Sequence, residues 1–280
     1  MPILLSIIHQ GLIFSLVAMA VFMTSRVIKK NDLTVEGTFG FGGAITAVML
    51  ALGYSPIWAL LAALIIGAIL GSITGLLYTS LKMDHLMAGL VTTTACFSLS
   101  LALASANKNV EPETTIFAIS FMSPLLSETI VLIALAILML VLVKLFLRCE
   151  LGLVMRAAGD NPDLLLYFGK SKNFYQTMGF AIANMLTGLA GSLFVQWSGF
   201  FSITGNIGTL ITGLASLMMA ELVHRGLSVG ILISSVVYQS IFAATLWLGI
   251  SPVWNNLGKA TIIVLLVAIS RFSPRRGLYA

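Results

Sequence analysis

The sequence predicts an all-α integral membrane protein of about nine transmembrane helices, with an inverted internal repeat and loosened glycine-rich helices. Three observations carry this expectation. Of 280 residues, 59% are hydrophobic and 9% charged, with a mean hydropathy of +1.04, against about 45–50% apolar and about 25% charged in soluble domains. Apolar runs of roughly 20 residues, the length that crosses a bilayer core, recur from end to end. Basic residues gather between alternate runs, as they do in multi-pass chains.

The runs fall at 3–25, 33–54, 56–80, 86–106, 127–147, 175–197, 203–222, 228–249 and 252–270. The first has no basic residue ahead of it. Although Ala18 and Ala20 mimic a cleavage site, it reads as a span and not as a signal peptide.

The second run opens on "DLTVEGTFGFGG". Asp32 and Glu36 stand at a helix start, where negative charge is favoured by about 0.3–1 kcal/mol. Arg26 and Lys29 are the expected partners there. Gly37, Gly40, Gly42 and Gly43 let the helix bend or approach its neighbours. In the third run Gly67, Gly71 and Gly75 share one helix face, which invites close packing of another helix.

The fourth run carries Thr92, Thr93, Thr94, Ser98 and Ser100 on two faces, and the sixth carries Asn184 and Thr187. Such residues either bond to helix backbone or line a polar path. Cys96 and Cys149 are far apart and differently placed, so they read as two packing cysteines. "EGTFGFGG" at Glu36 has a counterpart in "GNIGTLITG" at Gly205. Gly37–Thr38 and Gly208–Thr209 are each followed by three residues and then a glycine, and the two runs should point in opposite directions. Glu221, four residues before Arg225, reads as a helix-surface pair.

With the N-terminus outside, the inner face receives Arg26, Lys29, Lys30, Lys82, Lys144, Arg148, Arg156, Lys170, Lys172, Arg225, Arg271, Arg275 and Arg276. The outer face receives Lys108 and Lys259. This asymmetry explains the formal charge of +5 through topology, and no nucleic-acid partner is expected. The domain reading is a single transmembrane domain over 1–280, with repeat halves at roughly 31–147 and 175–271 around an inner loop at 148–174.

That loop, with the outer loop 107–127, invites partner proteins. In "GDNPDLLLYFGK", Asn161 suits a helix cap, Pro162 the first position, Asp163 the positive dipole end, and Gly169 the left-handed residue after the last turn. The spacing predicts a helix of about two turns, preceded by another that stops at Gly159. So short a helix needs something to hold it.

Enzyme chemistry finds no foothold. His9, His85 and His224 are scattered, and there is no H-E-x-x-H, Walker lysine loop, G-x-S-x-G or acid pair within a span. Nearly every ionisable residue lies at a span end, unlike the mid-membrane coupling groups of self-powered transporters.

"DLTVEGTFGFGGAITAVML", "GAILGSITGLLYTSLKMDHLMAGLVTTTA" and "ELGLVMRAAGDNPDLLLYFGKS" resemble the permeases of bacterial ABC importers for branched-chain amino acids and ribose-type sugars, most of all the branch linked to tryptophan or tyrosine uptake. The resemblance implies a non-catalytic subunit of the bacterial inner membrane, working as a homodimer. It further implies two ABC ATPase subunits, an extracytoplasmic substrate-binding protein, and a lipid surround. The chain itself should bind no cofactor; ATP and Mg would sit on the partner ATPase. Arg156, Gly159, Asp160, Asn161, Pro162, Asp163 and Gly169 match the family's ATPase-coupling loop, although Leu164 to Tyr167 depart from its usual small residues. Thr38 and Phe39 match its pathway-lining segment, with Thr92, Thr93, Asn184, Thr209 and Thr212 as further pathway candidates. The implied cargo is an amino acid or similar small solute, moved by alternating access. A self-powered transporter or channel is the alternative, and a membrane scaffold comes third.

Overall fold

A computed structural model describes residues 2–118, 124–223, 229–247 and 255–272. His224, Arg225, Arg275 and Arg276 lie outside them. Eleven helices run through the described residues: α1 Pro2–Phe22, α2 Thr34–Ala51, α3 Pro56–Thr79, α4 His85–Ala104, α5 Pro124–Phe146, α6 Glu150–Asp160, α7 Leu164–Tyr167, α8 Lys172–Ser198, α9 Thr209–Val223, α10 Val229–Trp247 and α11 Asn255–Phe272. Two short strands, β1 Asn107–Asn109 and β2 Phe200–Ser202, complete them.

Among the described residues six helices are long and apolar enough to cross a membrane, namely α1 with the π turn Met23–Val27 that extends it, α2, α3, α4, α5 and α8. They coincide with the first six expected runs. Helices α9, α10 and α11 occupy the last three.

Local chemistry sets the ends of these helices. Pro56 opens α3, where its missing N–H costs nothing. Asp84 caps α4, its Oδ1 accepting from the Leu86 N–H at 2.9 Å. Gly199, at φ 74°, ends α8 in the left-handed conformation and turns the chain into β2. There Asn107, Lys108 and Asn109 pair antiparallel with Ser202, Phe201 and Phe200, stitching the end of α4 to the end of α8.

Helix α8 is the axis of the fold. It runs parallel to α2, through Thr38–Asn184, Gly42–Gly188 and Thr46–Ser192, and antiparallel to α3, through Gly75–Thr177, Gly71–Phe180 and Gly67–Asn184. A Cβ on Gly67 or Gly71 would strike the backbone carbonyl of Asn184 or Phe180, so the glycine face of α3 is used for backbone contact with α8.

The glycines of α2 serve the same end and do not loosen the helix. Helix α2 is unbroken, and Gly37 faces Thr93 of α4, Gly42 faces Gly188, and Gly43 faces Val195 and Gly191. Helices α4 and α8 hold it through these glycines, which removes the freedom to unwind. Irregular backbone appears instead at 203–208, ahead of α9, where Gly208 has φ 85°.

One end of the bundle gathers the basic residues. Lys29 Nζ pairs with Asp160 at 2.5 Å, Arg26 with Glu221 at 2.6 Å, and Lys30 lies 5.5 Å over the Tyr78 ring. Arg26 and Lys29 are therefore committed to partners other than Asp32 and Glu36. Glu221 takes its cation from the π turn that extends α1.

Candidate functional site

The sequence-predicted polar residues of α2, α4 and α8 converge on the carboxylate of Asp32, just ahead of α2. Asp32 is 3% exposed. Its Oδ1 accepts from the Thr34 N–H at 2.8 Å, capping α2 as an Asx turn, and its Oδ2 accepts from Asn184 Nδ2 at 2.7 Å. The other end of the same amide, Asn184 Oδ1, accepts from the Thr38 hydroxyl at 2.8 Å. Burial pushes the Asp32 carboxyl above its ordinary range, while the bonds from Thr34 and Asn184 pull it back.

A hydroxyl chain continues from there. Thr34 and Thr74 Oγ1 lie 2.8 Å apart, Thr74 donates to Thr92 at 2.9 Å, and Thr93 donates to the Leu33 carbonyl at 2.8 Å. Helices α2, α3, α4 and α8 thus share one buried polar network. Thr38, Thr92, Thr93 and Asn184 all belong to it. In contrast Thr94 and Ser98 are exposed and bond to carbonyls of their own helix.

Phe39 lies one residue beyond, in an aromatic cluster. Its ring stacks on Phe14 at 5.8 Å and tilts against Phe194 at 5.6 Å, linking α1, α2 and α8. Thr209 and Thr212 are buried at the start of α9, donating to the Asn206 and Gly208 carbonyls. They are joined to α2 through Glu36, whose Oε1 accepts from the Gly208 N–H at 2.8 Å. A carboxylate in the first turn of one helix thereby holds the backbone donor ahead of another.

Near the opposite end from the lysines, His9 Nδ1 accepts from Trp197 Nε1 at 3.1 Å, Nε2 meets Thr129 Oγ1 at 2.8 Å, and Glu128 Oε2 lies 3.3 Å away.

The loop residues form a second group. Helix α6 continues through Gly159 to Asp160, one residue past its expected stop, because a glycine there lets it press onto the Val27 carbonyl and Ile28. Asn161 is extended, at φ −145° and ψ 89°, as suits a residue before proline, so it closes α6 and does not open the next helix. Helix α7 is consequently one turn, Leu164–Tyr167, and not the expected two. Gly169 does take the left-handed conformation, at φ 65°. Leu165 is buried, whereas Tyr167 and Phe168 are 88% and 71% exposed. Lys170 pairs with Glu150 at 2.5 Å, which raises the lysine and lowers the carboxylate from their ordinary values, and Lys172 reaches Asp163 at 3.7 Å. Arg156 is exposed on α6.

Sequence reasoning missed the roles of Asp32 and Thr74. Two signals were available: the Asp-x-Thr spacing of an Asx cap, and the placement of Thr74 between Gly71 and Gly75 on the face that packs most closely. Chemically the arrangement tethers helices and offers hydrogen-bonding groups. Among the described residues no three metal-ligating side chains meet.

Comparison with known proteins follows the same lines. A family described as "Branched-chain amino acid transport system / permease component" matches residues 3–270. A tyrosine transport system permease protein of Clostridioides difficile is 27% identical over 95% of this chain and 90% of its own. An uncharacterised protein of Rickettsia prowazekii is 31% identical over 79% and 78%. An autoinducer 2 import system permease protein of an Enterobacter species is 29% identical over 71% of this chain and 59% of its own. No solved structure matches the chain.

Proposed function

The chain belongs to the family of branched-chain amino acid transport system permease components, and from that premise we propose that it is the ATP-driven translocation subunit of an importer for an amino acid or similar small solute. Membership makes it the permease of an ABC-type system, a multi-pass component of the inner membrane. Hydrolysis belongs to two partner ATPase subunits carrying ATP and Mg, and capture to an external binding protein.

The observation that carries the proposal is the attachment of the 150–169 loop to the body of the spans. Helix α6 is pressed onto the end of α1 at Gly159 and tied there by the Lys29–Asp160 pair. The next turn presents Tyr167 and Phe168 outward. In this reading a partner ATPase receives that turn in a groove, and its closure pushes α6 against α1. Nine spans, with the N-terminus outside and the C-terminus inside, put the loop in the cytoplasm. The contacts that join residues 26–30, 78–82, 158–173 and 221 at one end of the bundle support placing these segments on the same side.

Substrate passes between two copies of the chain in a homodimer. Thr38, Phe39, Thr92, Thr93, Asn184, Thr209 and Thr212 are the pathway candidates; Thr38 bonds to Asn184 directly, while Thr92 and Thr93 reach α2 through Thr74 and the Leu33 carbonyl. In this reading an inverted repeat relates Gly37–Thr38 to Gly208–Thr209, and the Glu36 to Gly208 bond ties α2 to the start of α9 within one chain. Alternating access then consists of breaking and remaking such bonds as the halves rock.

Substitution of Asp163 or Gly169 tests the proposal. The ATPase should copurify less and ATP-dependent uptake should fall, with the spans still folded; unchanged coupling counts against the loop assignment. Buried Asp32 favours one other reading, a self-powered transporter using a carboxylate. Uptake abolished by ionophores but not by ATP depletion would select it.

A further inference from the structure

At the basic end of the bundle a cavity of about 620 Å³ opens between the end of α3, the start of α8 and the α6–α7 connection. Its volume lies within the range of about 300–1,000 Å³ usual for small-molecule sites. Lys30, Lys82 and Lys172 line it, with Tyr78, Asn173 and Gln176 supplying further polar atoms.

The charge there is poorly compensated. Among the described residues neither Lys30 nor Lys82 has a carboxylate within ion-pair distance, and Lys172 meets Asp163 at 3.7 Å, too far for a good hydrogen bond. Lys30 rests instead on the Tyr78 ring. Three ammonium groups around one recess repel each other unless an anion joins them.

The rim argues for an amphiphile. Leu76, three residues before the lining residue Thr79, and Leu81, next to the lining residue Lys82, are 52% and 66% exposed, so exposed apolar side chains flank the lining residues in the chain. Basic recesses between membrane helices are suited to lipid phosphates.

We propose that this cavity is a binding site for the phosphate headgroup of an anionic phospholipid, held by Lys30, Lys82 and Lys172 with its chains along Leu76 and Leu81. Ala158, Gly159 and Pro162 form the far wall, so a bound headgroup bridges the loop to α3 and α8. The site rests on the cavity alone and survives if the coupling role of the loop does not.

The test is native mass spectrometry of the full chain in detergent with phosphatidylglycerol, phosphatidylcholine or inorganic phosphate. Phosphatidylglycerol should be retained in preference to phosphatidylcholine. Each of Lys30→Gln and Lys82→Asn should weaken retention roughly fivefold; asparagine accepts the left-handed backbone of Lys82 at φ 55°. Lys172→Gln is the substitute should either variant fail to fold, judged by melting without lipid. Lys144→Gln, an exposed lysine at the same end on α5, should leave retention unchanged. Equal retention of both lipids, or an equal loss in Lys144→Gln, overturns the proposal. Binding of inorganic phosphate that displaces the lipid at equal occupancy overturns the lipid assignment in favour of a free phosphate.

Discussion

Asn184 and Asp32 lie 152 positions apart in the chain, yet the amide of the first donates to the carboxylate of the second at 2.7 Å inside the bundle. Removing the amide leaves a buried carboxylate short of a donor. Asn184→Ala should destabilise the purified chain by about 1–3 kcal/mol, read as a lowered melting temperature. Asn184→Asp should cost more, since it sets two carboxyls against each other. A melting temperature equal to that of the unmodified chain in both would contradict the tether.

Backbone contact between α3 and α8 predicts intolerance to a single methyl. Gly71→Ala should cost about 1–3 kcal/mol through overpacking, because its Cβ would meet the Phe180 carbonyl. Gly258→Ala, where nothing lies within 4 Å, is the matched comparison and should fold normally. Similar yields of folded protein from both would exclude so tight a contact.

Glu36 should matter as an acceptor more than as a charge. Glu36→Gln keeps an oxygen for the Gly208 N–H, whereas Glu36→Ala leaves that donor with no acceptor from α2. Hydrogen exchange at the Gly208 amide should therefore quicken roughly tenfold in Glu36→Ala, the equivalent of about 1.4 kcal/mol, and much less in Glu36→Gln. Equal exchange in the two variants would assign protection of that amide to something else.

The Glu150–Lys170 pair makes a pH prediction. Glu150 is held below its usual range, so its contribution is present above the unfolded value of about 4.3 and is lost as pH falls through the lower folded value. Lys170 is raised, so its contribution holds below about 10.4 and is lost only as pH rises through the higher folded value. Limited proteolysis within 161–171 should be flat between these limits and climb on acidification. Salt should also increase it, since both groups are solvent-facing. A steep change near neutral pH would refute the pairing.

The sequence was legible wherever one residue type has one use. Long apolar runs could only be helices, and the glycines at 67, 71 and 75 could only mark a close neighbour, which proved to be α8. The glycines of α2 were ambiguous, because bending and close approach ask for the same residue, and only the identity of Thr93, Gly188 and Gly191 as neighbours decides between them. Asp32 was illegible as a buried group for a different reason. Its nearest cations in the chain are drawn off elsewhere, Lys30 onto the Tyr78 ring, Lys29 to Asp160 and Arg26 to Glu221, and a choice among long-range partners leaves no local mark. At the loop, Pro162 correctly announced a boundary, but the boundary ended α6 instead of beginning α7.

The contact of α3 with α8 has a mechanical corollary. Where two helices meet through carbonyls and glycines, no layer of side chains remains to slide or repack, so the pair behaves as a single strut. Whatever hinge this transporter possesses must lie along seams cushioned by larger groups, such as the phenylalanines shared by α1, α2 and α8, and the strut carries force past them undiminished.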